Sequence, residues 1–307
     1  MTKETESGQR SSALGIALLL FASLIWGTAF VAQSLGMDHL GPCTFNAARS
    51  MIGSIVLLPV AVVYGRLERR RLGEAAPKRK WSDLFKGGIC CGVFLAGASL
   101  LQQAGLQTVS SGKAGFLTAL YIVLVPVVGS FVGRKPGKKA WVAIVIALIG
   151  TWLLSVSGES FSISSGELMM IGAALVFTFH FLVIDRFSPK VNGVALSCVQ
   201  FFVAAVISFA AALFLETPSF SNVLLSMGPL LYAGVLSSGV AYTLQIIAQK
   251  TVNPTSAALA CSLESVFAAL AGWLVLGDLL SLRELFGCAM MFAAVILAQL
   301  PDRTQAK

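Results

Sequence analysis

The sequence predicts an all-α membrane protein with ten transmembrane helices, arranged as two inverted five-helix repeats. Three observations carry that prediction: an apolar content too high for a watery surface, a one-sided distribution of Lys and Arg, and internal similarity between the halves. The chain has 307 residues, 56% of them apolar and only 12% charged. Its mean hydropathy is +0.83. A soluble domain is about a quarter charged, so this chain cannot clothe a globule in polar groups and must use lipid as solvent. The first apolar run is too long for a signal-peptide core and lacks a small-residue cleavage site, so it reads as a retained first helix.

Ten apolar spans follow in order: 12–36, 41–65, 84–107, 112–132, 140–157, 167–186, 193–215, 225–249, 254–276 and 282–300. At 1.5 Å per residue each crosses, or nearly crosses, about 30 Å of hydrocarbon. The run 140–157 is the shortest. Helix-start signals mark several spans: Asn253-Pro254 offers an N-cap with Pro at the first helical position, Gly41-Pro42 opens the second span, and Ser110 and Ser111 can cap the fourth.

Lys and Arg set the orientation. The loop 66–80 carries Arg66, Arg69, Arg70, Arg71, Lys78, Arg79 and Lys80, and the loop after span four carries Arg134, Lys135, Lys138 and Lys139. Arg186 and Lys190 follow span six, and Lys250 follows span eight. With the N-terminus inside, only Lys113 and Arg283 fall outside, and Arg49 falls within the membrane. An even span count returns the C-terminus to the cytoplasm. The expected location is a plasma membrane of bacterial type.

The halves repeat. At an offset of 143, Thr108-Val109 matches Thr251-Val252, Ala114 matches Ala257, Leu120 matches Leu263, Val123 matches Val266, Gly129 matches Gly272 and Val132 matches Val275. At an offset of 151, Gly15 matches Gly166, Ala22 matches Ala173, Leu24 matches Leu175 and Phe30 matches Phe181. One longer basic loop after span two accounts for the difference. The expected units are 12–157 and 166–300, with tails 1–11 and 301–307 in the cytoplasm. Five spans per unit is odd, so the second unit enters the membrane the other way up, an arrangement suited to alternating access around a midplane site.

Several function classes are disfavoured. The net charge of +8 lies mostly in short loops, without a basic helix interleaved with aromatics, so no nucleic-acid partner is expected. Six cysteines lie in apolar stretches without a CxxC pair, which reads as buried hydrophobes; neither a metal nor a cofactor is expected. The absence of GxxxxGK[ST] argues against ATP as the direct energy source. A membrane enzyme needs paired carboxylates, clustered histidines or a nucleophile, and the two histidines lie far apart in sequence.

Ionisable groups within hydrocarbon are costly and are functional candidates by default. Glu264 lies ten residues into span nine, about 15 Å deep. It could bind a substrate ammonium, carry the proton of an antiport cycle, or serve as a structural carboxylate between helices. Arg49 lies about 12 Å from the outer edge, where it could attract a carboxylate, neutralise Glu264, or, as favoured from sequence, pack against backbone carbonyls. His180, whose repeat counterpart is Ala29, could relay a proton, although one satisfied backbone contact is the plainer reading. Among the uncharged polar residues Gln33, Asn46, Gln102, Gln103, Gln200, Gln245 and Gln249, together with Trp26, Tyr121 and Tyr242, the expected substrate contacts are Tyr121, Gln102, Gln245, Trp26 and Tyr242 beside Glu264. Tyr121 is the counterpart of Glu264. The alternative for these groups is interhelical hydrogen bonding, about 0.6 kcal/mol per contact. Gly88/Gly92 and Gly129/Gly133 are GxxxG pairs that suggest close packing, and Pro126 and Pro229 could loosen their helices.

The run Leu263-Glu264-Ser265-Val266-Phe267-Ala268-Ala269-Leu270, then Gly272-Trp273, then Leu276-Gly277-Asp278, resembles the end of an EamA-type module of the drug/metabolite transporter superfamily. Ser265 stands where that pattern has proline, and Asp278 where it has glutamate. Leu24-Ile25-Trp26-Gly27 and Arg49 are the matching features of the first half, and the resemblance covers about 14–300. It implies ten helices, a central cavity between the repeats and export or exchange of small metabolites such as amino acids or drugs, and it implies that a glutamate at 264 is kept across varied cargo. The expected function is therefore secondary export of small organic solutes, amino acids or related metabolites, by alternating access with proton coupling through Glu264. The expected partners are a small-molecule substrate and the bilayer, and a homodimer is compatible with the pattern. The rival classes are a channel or uniporter and a lipid-modifying membrane enzyme.

Overall fold

The computed structural model describes residues 3–72, 80–109, 111–134, 136–155, 164–271, 273–274 and 280–300. Helices dominate and no strand occurs among them. The α-helices are α1 (Lys3–Gly36), α2 (Pro42–Leu72), α3 (Trp81–Gly105), α4 (Ser111–Ala119), α5 (Tyr121–Phe131), α6 (Lys138–Ser155), α7 (Ser165–Phe187), α8 (Gly193–Leu215), α9 (Phe220–Leu225), α10 (Met227–Leu231), α11 (Tyr242–Ala248), α12 (Pro254–Cys261), α13 (Glu264–Ala271) and α14 (Leu282–Gln299). A π-helical segment, Tyr232–Ala241, joins α10 to α11. Spans four, eight and nine are therefore composite: α4–α5, α10–π–α11 and α12–α13.

Nine spans among the described residues are long and apolar enough to cross a bilayer. The expected fifth is α6, 18 residues long. Together they give the ten-helix fold. Large apolar side chains such as Ile55, Leu58, Leu213 and Phe214 are exposed, as expected where lipid rather than water is the neighbour.

The helix starts follow capping chemistry. Ser164 with Glu167 and Ser281 with Glu284 form capping boxes, and Asn192 and Asn253 accept bonds from the first-turn amides of α8 and α12. The N-terminus of α2 is satisfied from a distance. Cys43 N and Thr44 N donate to the two carboxylate oxygens of Glu216 at 2.7 and 2.8 Å, and Thr44 Oγ1 donates at 2.6 Å. An anion at a helix N-terminus complements its unpaired amides and dipole.

The repeats meet reciprocally. A Cβ on Gly15 would come within 2.5 Å of Val252 Cγ2 and 3.0 Å of Thr251 Oγ1, and one on Gly166 would come within 2.1 Å of Thr108 Oγ1 and 2.9 Å of Val109 Cγ2. The opening helix of each half thus uses the same glycine to press on the same Thr-Val pair of the other half. Polar links also join residues assigned to one membrane side: Lys113 pairs with Glu167, Arg134 with Asp185, and Asn192 Nδ2 donates to Glu68 Oε2 at 3.4 Å.

Three expectations change. Arg66, Arg69, Arg70 and Arg71 lie on α2, which runs on to Leu72, not in a loop. Gly88 and Gly92 do pack closely, on Val199 and Val203 of α8, but Gly133 has φ +83° with open space around it. It is the left-handed residue that ends α5, with Arg134 N donating to Gly129 O at 2.8 Å. Gly129 and Gly133 therefore make no packing motif. Ser110, Gly272, Val275, Leu276, Gly277 and Asp278 lie outside the described residues.

Candidate functional site

Spans four and nine break at equivalent places. Leu120 separates α4 from α5, and Ser262-Leu263 separates α12 from α13. At each break the helix tightens to three-residue hydrogen bonds: Leu120 N to Leu117 O at 3.3 Å, Val123 N to Leu120 O at 3.0 Å, Leu263 N to Ala260 O at 3.3 Å and Ser265 N to Ser262 O at 3.2 Å. The first residue after each break is Tyr121 or Glu264. These two counterparts meet: Tyr121 OH donates to Glu264 Oε1 at 3.1 Å. Discontinuous helices at a repeat interface are where transporter sites form.

Around this pair lies a small, partly open cavity. All eight sequence candidates line it: Glu264, Tyr121, Gln102, Gln245, Trp26, Tyr242, His180 and Arg49. The wall also holds Phe30, Gln33, Thr118, Phe177, Phe181 and Ser237. Repeat symmetry organises it. The wall holds Trp26 and its counterpart Phe177, Phe30 and its counterpart Phe181, Gln102 and its counterpart Gln245, and Tyr121 and its counterpart Glu264. The 151 and 143 offsets would have identified Phe177 and Phe181 from Trp26 and Phe30; Thr118 and Ser237 carry no such signal.

Symmetry fails at the charges. Arg49 has Gln200 as its counterpart, and His180 has Ala29. Arg49 Nε donates to Asn46 Oδ1 at 2.8 Å and Nη1 to Gln33 Oε1 at 3.1 Å, while Asn46 Nδ2 donates to Ser208 Oγ at 2.7 Å. The expectation that Arg49 packs on carbonyls is therefore replaced by side-chain partners. Among the described residues it forms no ion pair with Glu264. Phe45 lies beneath the guanidinium, 6.0 Å from its ring centre.

His180 is fully buried. Its Nε2 donates to Gln200 Oε1 at 3.1 Å, and Nδ1 has no partner. It therefore binds a side chain rather than the expected backbone group. Gln245 Nε2 donates to Gln249 Oε1 at 3.2 Å, and Gln249 Nε2 donates to the Phe181 carbonyl at 3.1 Å. That carbonyl fixes both amides in orientation and leaves Gln245 Oε1 bare. Trp26 packs edge-on to Tyr242 at 4.7 Å, with Nε1 unpartnered. Tyr242 also meets Phe201 at 5.4 Å and His180 at 5.9 Å. Gln102 Nε2 donates to Thr118 Oγ1 at 3.3 Å. Gln103 lies off the cavity, its amide 3.5 Å from Gln33 O.

The close approach of α1 to α13 rests on Gly27. A Cβ there would fall 2.6 Å from Glu264 O and 2.7 Å from Ala268 N, so only glycine lets α1 reach the break that carries Glu264.

The model of the EamA-like transporter family matches residues 13–156 and 164–300. An uncharacterized transporter of Archaeoglobus fulgidus is 29% identical over 94% of this chain and 85% of its own length. The threonine/homoserine exporter RhtA of Escherichia coli K12 is 26% identical over 95% of this chain and 93% of its own. A protein of known crystal structure shares the fold with a TM-score of 0.74 at 19% identity, over 95% of this chain and 98% of that one.

Proposed function

Because the chain belongs to the EamA-like transporter family and is a multi-pass membrane transporter, we propose that it exports small organic solutes, amino acids or related metabolites, by alternating access of its two repeats. The observation that carries this reading is the convergence of eight polar and aromatic side chains on one cavity at the repeat seam, each otherwise costly in hydrocarbon. The two units 12–157 and 166–300 rock about that seam, and the broken spans four and nine are the elements that change shape. The termini lie in the cytoplasm, as the Lys and Arg distribution supports. That one relative of similar length is named for export of threonine and homoserine favours amino acids as cargo.

Glu264 is the coupling group. It takes the ammonium of the solute on the outward step and a proton on the return, so the two compete for one carboxylate. The titratable or charged groups around it are Tyr121, Tyr242, Cys261, Arg49 and His180. Counterflow tests carrier against channel. Proteoliposomes loaded with unlabelled threonine, leucine or phenylalanine should accumulate the labelled form transiently above equilibrium; simple equilibration without overshoot would identify a channel.

A further inference from the structure

The two repeats cap their second helices differently. α8 carries its own cap: the Asn192 carbonyl accepts from Leu196 N at 2.9 Å, and its side chain accepts from Val194 N and Ala195 N at 3.0 and 3.1 Å. At an offset of 151 the counterpart of Asn192 is Gly41. Its carbonyl likewise accepts from Phe45 N at 2.9 Å, but it has no side chain to turn back onto the first amides of α2. Glu216, from the other repeat, fills that role through Cys43 N, Thr44 N and Thr44 Oγ1. Glycine keeps the place free for it, because a Cβ on Gly41 would fall 2.3 Å from Glu216 Cδ. Glu216 also opens the connection that carries α9, so this cap is a tether. The connection is tied again at Ser226, whose Oγ donates to Gly36 O, at the end of α1, at 3.2 Å. Between the ties Val223 packs on the apolar cluster of Leu40, Phe45 and Leu230. Phe45 in turn lies beneath Arg49 in the cavity wall. Residues 216–226 therefore strap the outer ends of α1 and α2, one aromatic ring away from the cavity.

We propose that Glu216 is a conditional helix cap that latches the outer face of the transporter. While the strap is docked, the first amides of α2 are paired with a carboxylate, which also suits the helix dipole. When the strap lifts, Gly41 offers no side chain in its place, so opening the outer face costs α2 its cap. The inner face lacks that penalty: Asn192 Nδ2 donates to Glu68 Oε2 at 3.4 Å, and α8 keeps its cap whether or not that bond forms. Each face also carries an ion pair between the repeats, Lys113 with Glu167 outside and Arg134 with Asp185 inside. The caps, by contrast, are unequal, and they bias the resting equilibrium toward a closed outer face by the free energy of the contacts that opening breaks. The inference rests on the alternating-access reading above and on the outer placement of residues 36–44 and 216–226.

The test reads access to the cavity from outside. Ser237→Cys places a thiol in the cavity wall. A membrane-impermeant methanethiosulfonate is added to intact spheroplasts, and the labelled peptide is identified by mass. Glu216→Gln keeps the bulk of the side chain but turns one acceptor oxygen into a donor, and should speed labelling by about 5–30-fold. Gly41→Asn combined with Glu216→Ala transplants the arrangement of α8 onto α2. That pair should recover the thermal stability lost by Glu216→Ala alone and should still label fast. Native-rate labelling in Glu216→Gln would overturn the inference. So would a return to the native rate once α2 has its own cap, because Glu216 would then be a helix cap and nothing more. These readings need no solute, so their failure leaves the transport reading standing. Fast labelling in the variants of a chain that carries no solute would sink the transport reading instead.

Discussion

Spans four and nine share a break, a position and a hydrogen bond, yet differ in what they place at the centre. Span four ends its break on Tyr121, a neutral donor, and span nine on Glu264, an acid. The helices that cover the breaks differ too. Over Glu264, α1 has Gly27, with no room for a methyl group; at the repeat-equivalent position α7 has Thr178, fully buried, its hydroxyl donating to Ala174 O at 2.9 Å. An inverted repeat can thus keep one scaffold and differ in one arm: span nine presents a carboxyl group, and span four a phenol that donates to it.

The largest expected effect is at that pair. Glu264→Gln removes a charge-assisted contact to the solute, a loss of roughly 1.5–3 kcal/mol, and should weaken amino-acid binding by about 10–100-fold in titrations of purified protein. Tyr121→Phe removes one donor to Glu264 Oε1 but leaves the carboxylate and its contact to the solute in place, and should weaken binding less, by about 2–10-fold. Equal losses would mean that the two arms are not specialised.

The covering helices come next. Gly27→Ala forces α1 away from Glu264 O and Ala268 N, an overpacking cost of about 1–3 kcal/mol, and should lower both thermal stability in detergent and exchange. Thr178→Ala removes one local hydroxyl-to-carbonyl bond and should cost under about 1 kcal/mol, with exchange retained.

The two glycine pairs also separate, down to an expected effect near zero. A Cβ on Gly92 would sit 2.6 Å from Val203 Cβ and 2.7 Å from Gln200 O, whereas one on Gly129 would meet nothing nearer than 3.4 Å. Gly92→Ala should therefore destabilise by about 1–3 kcal/mol. Gly129→Ala should be neutral or stabilise by up to about 1 kcal/mol, because alanine loses less backbone entropy in a helix. Thermal melts of the two variants read this difference.

Much of the fold is legible in sequence because lipid makes strong demands. Polar groups in a span, such as Glu264 and Arg49, stand out against apolar neighbours, and the repeat offsets alone pair Tyr121 with Glu264. The breaks are not legible. Leu120 and Leu263 are ordinary apolar helix residues without Pro or Gly beside them. The π-helical turn at Tyr232–Ala241 has no marker of its own; it is fitted to α2, where a Cβ on Gly234 would meet Ile52 Cβ at 2.7 Å and Arg49 O at 3.0 Å. Glu216 as the cap of α2 joins residues far apart in the chain, so local patterning cannot find it. The partners of Arg49 are not legible either, because helix rotation decides whether a side chain meets carbonyls or, as here, Asn46 and Gln33.

The pH profile of amino-acid exchange, measured in proteoliposomes for the native chain and for Glu264→Gln, asks whether one carboxylate at the repeat seam governs transport. Competition between proton and ammonium predicts that the native apparent affinity falls as pH is lowered, and that the variant loses both affinity and this dependence. A Glu264→Gln protein that exchanges amino acids at the native rate with the native pH profile would contradict it.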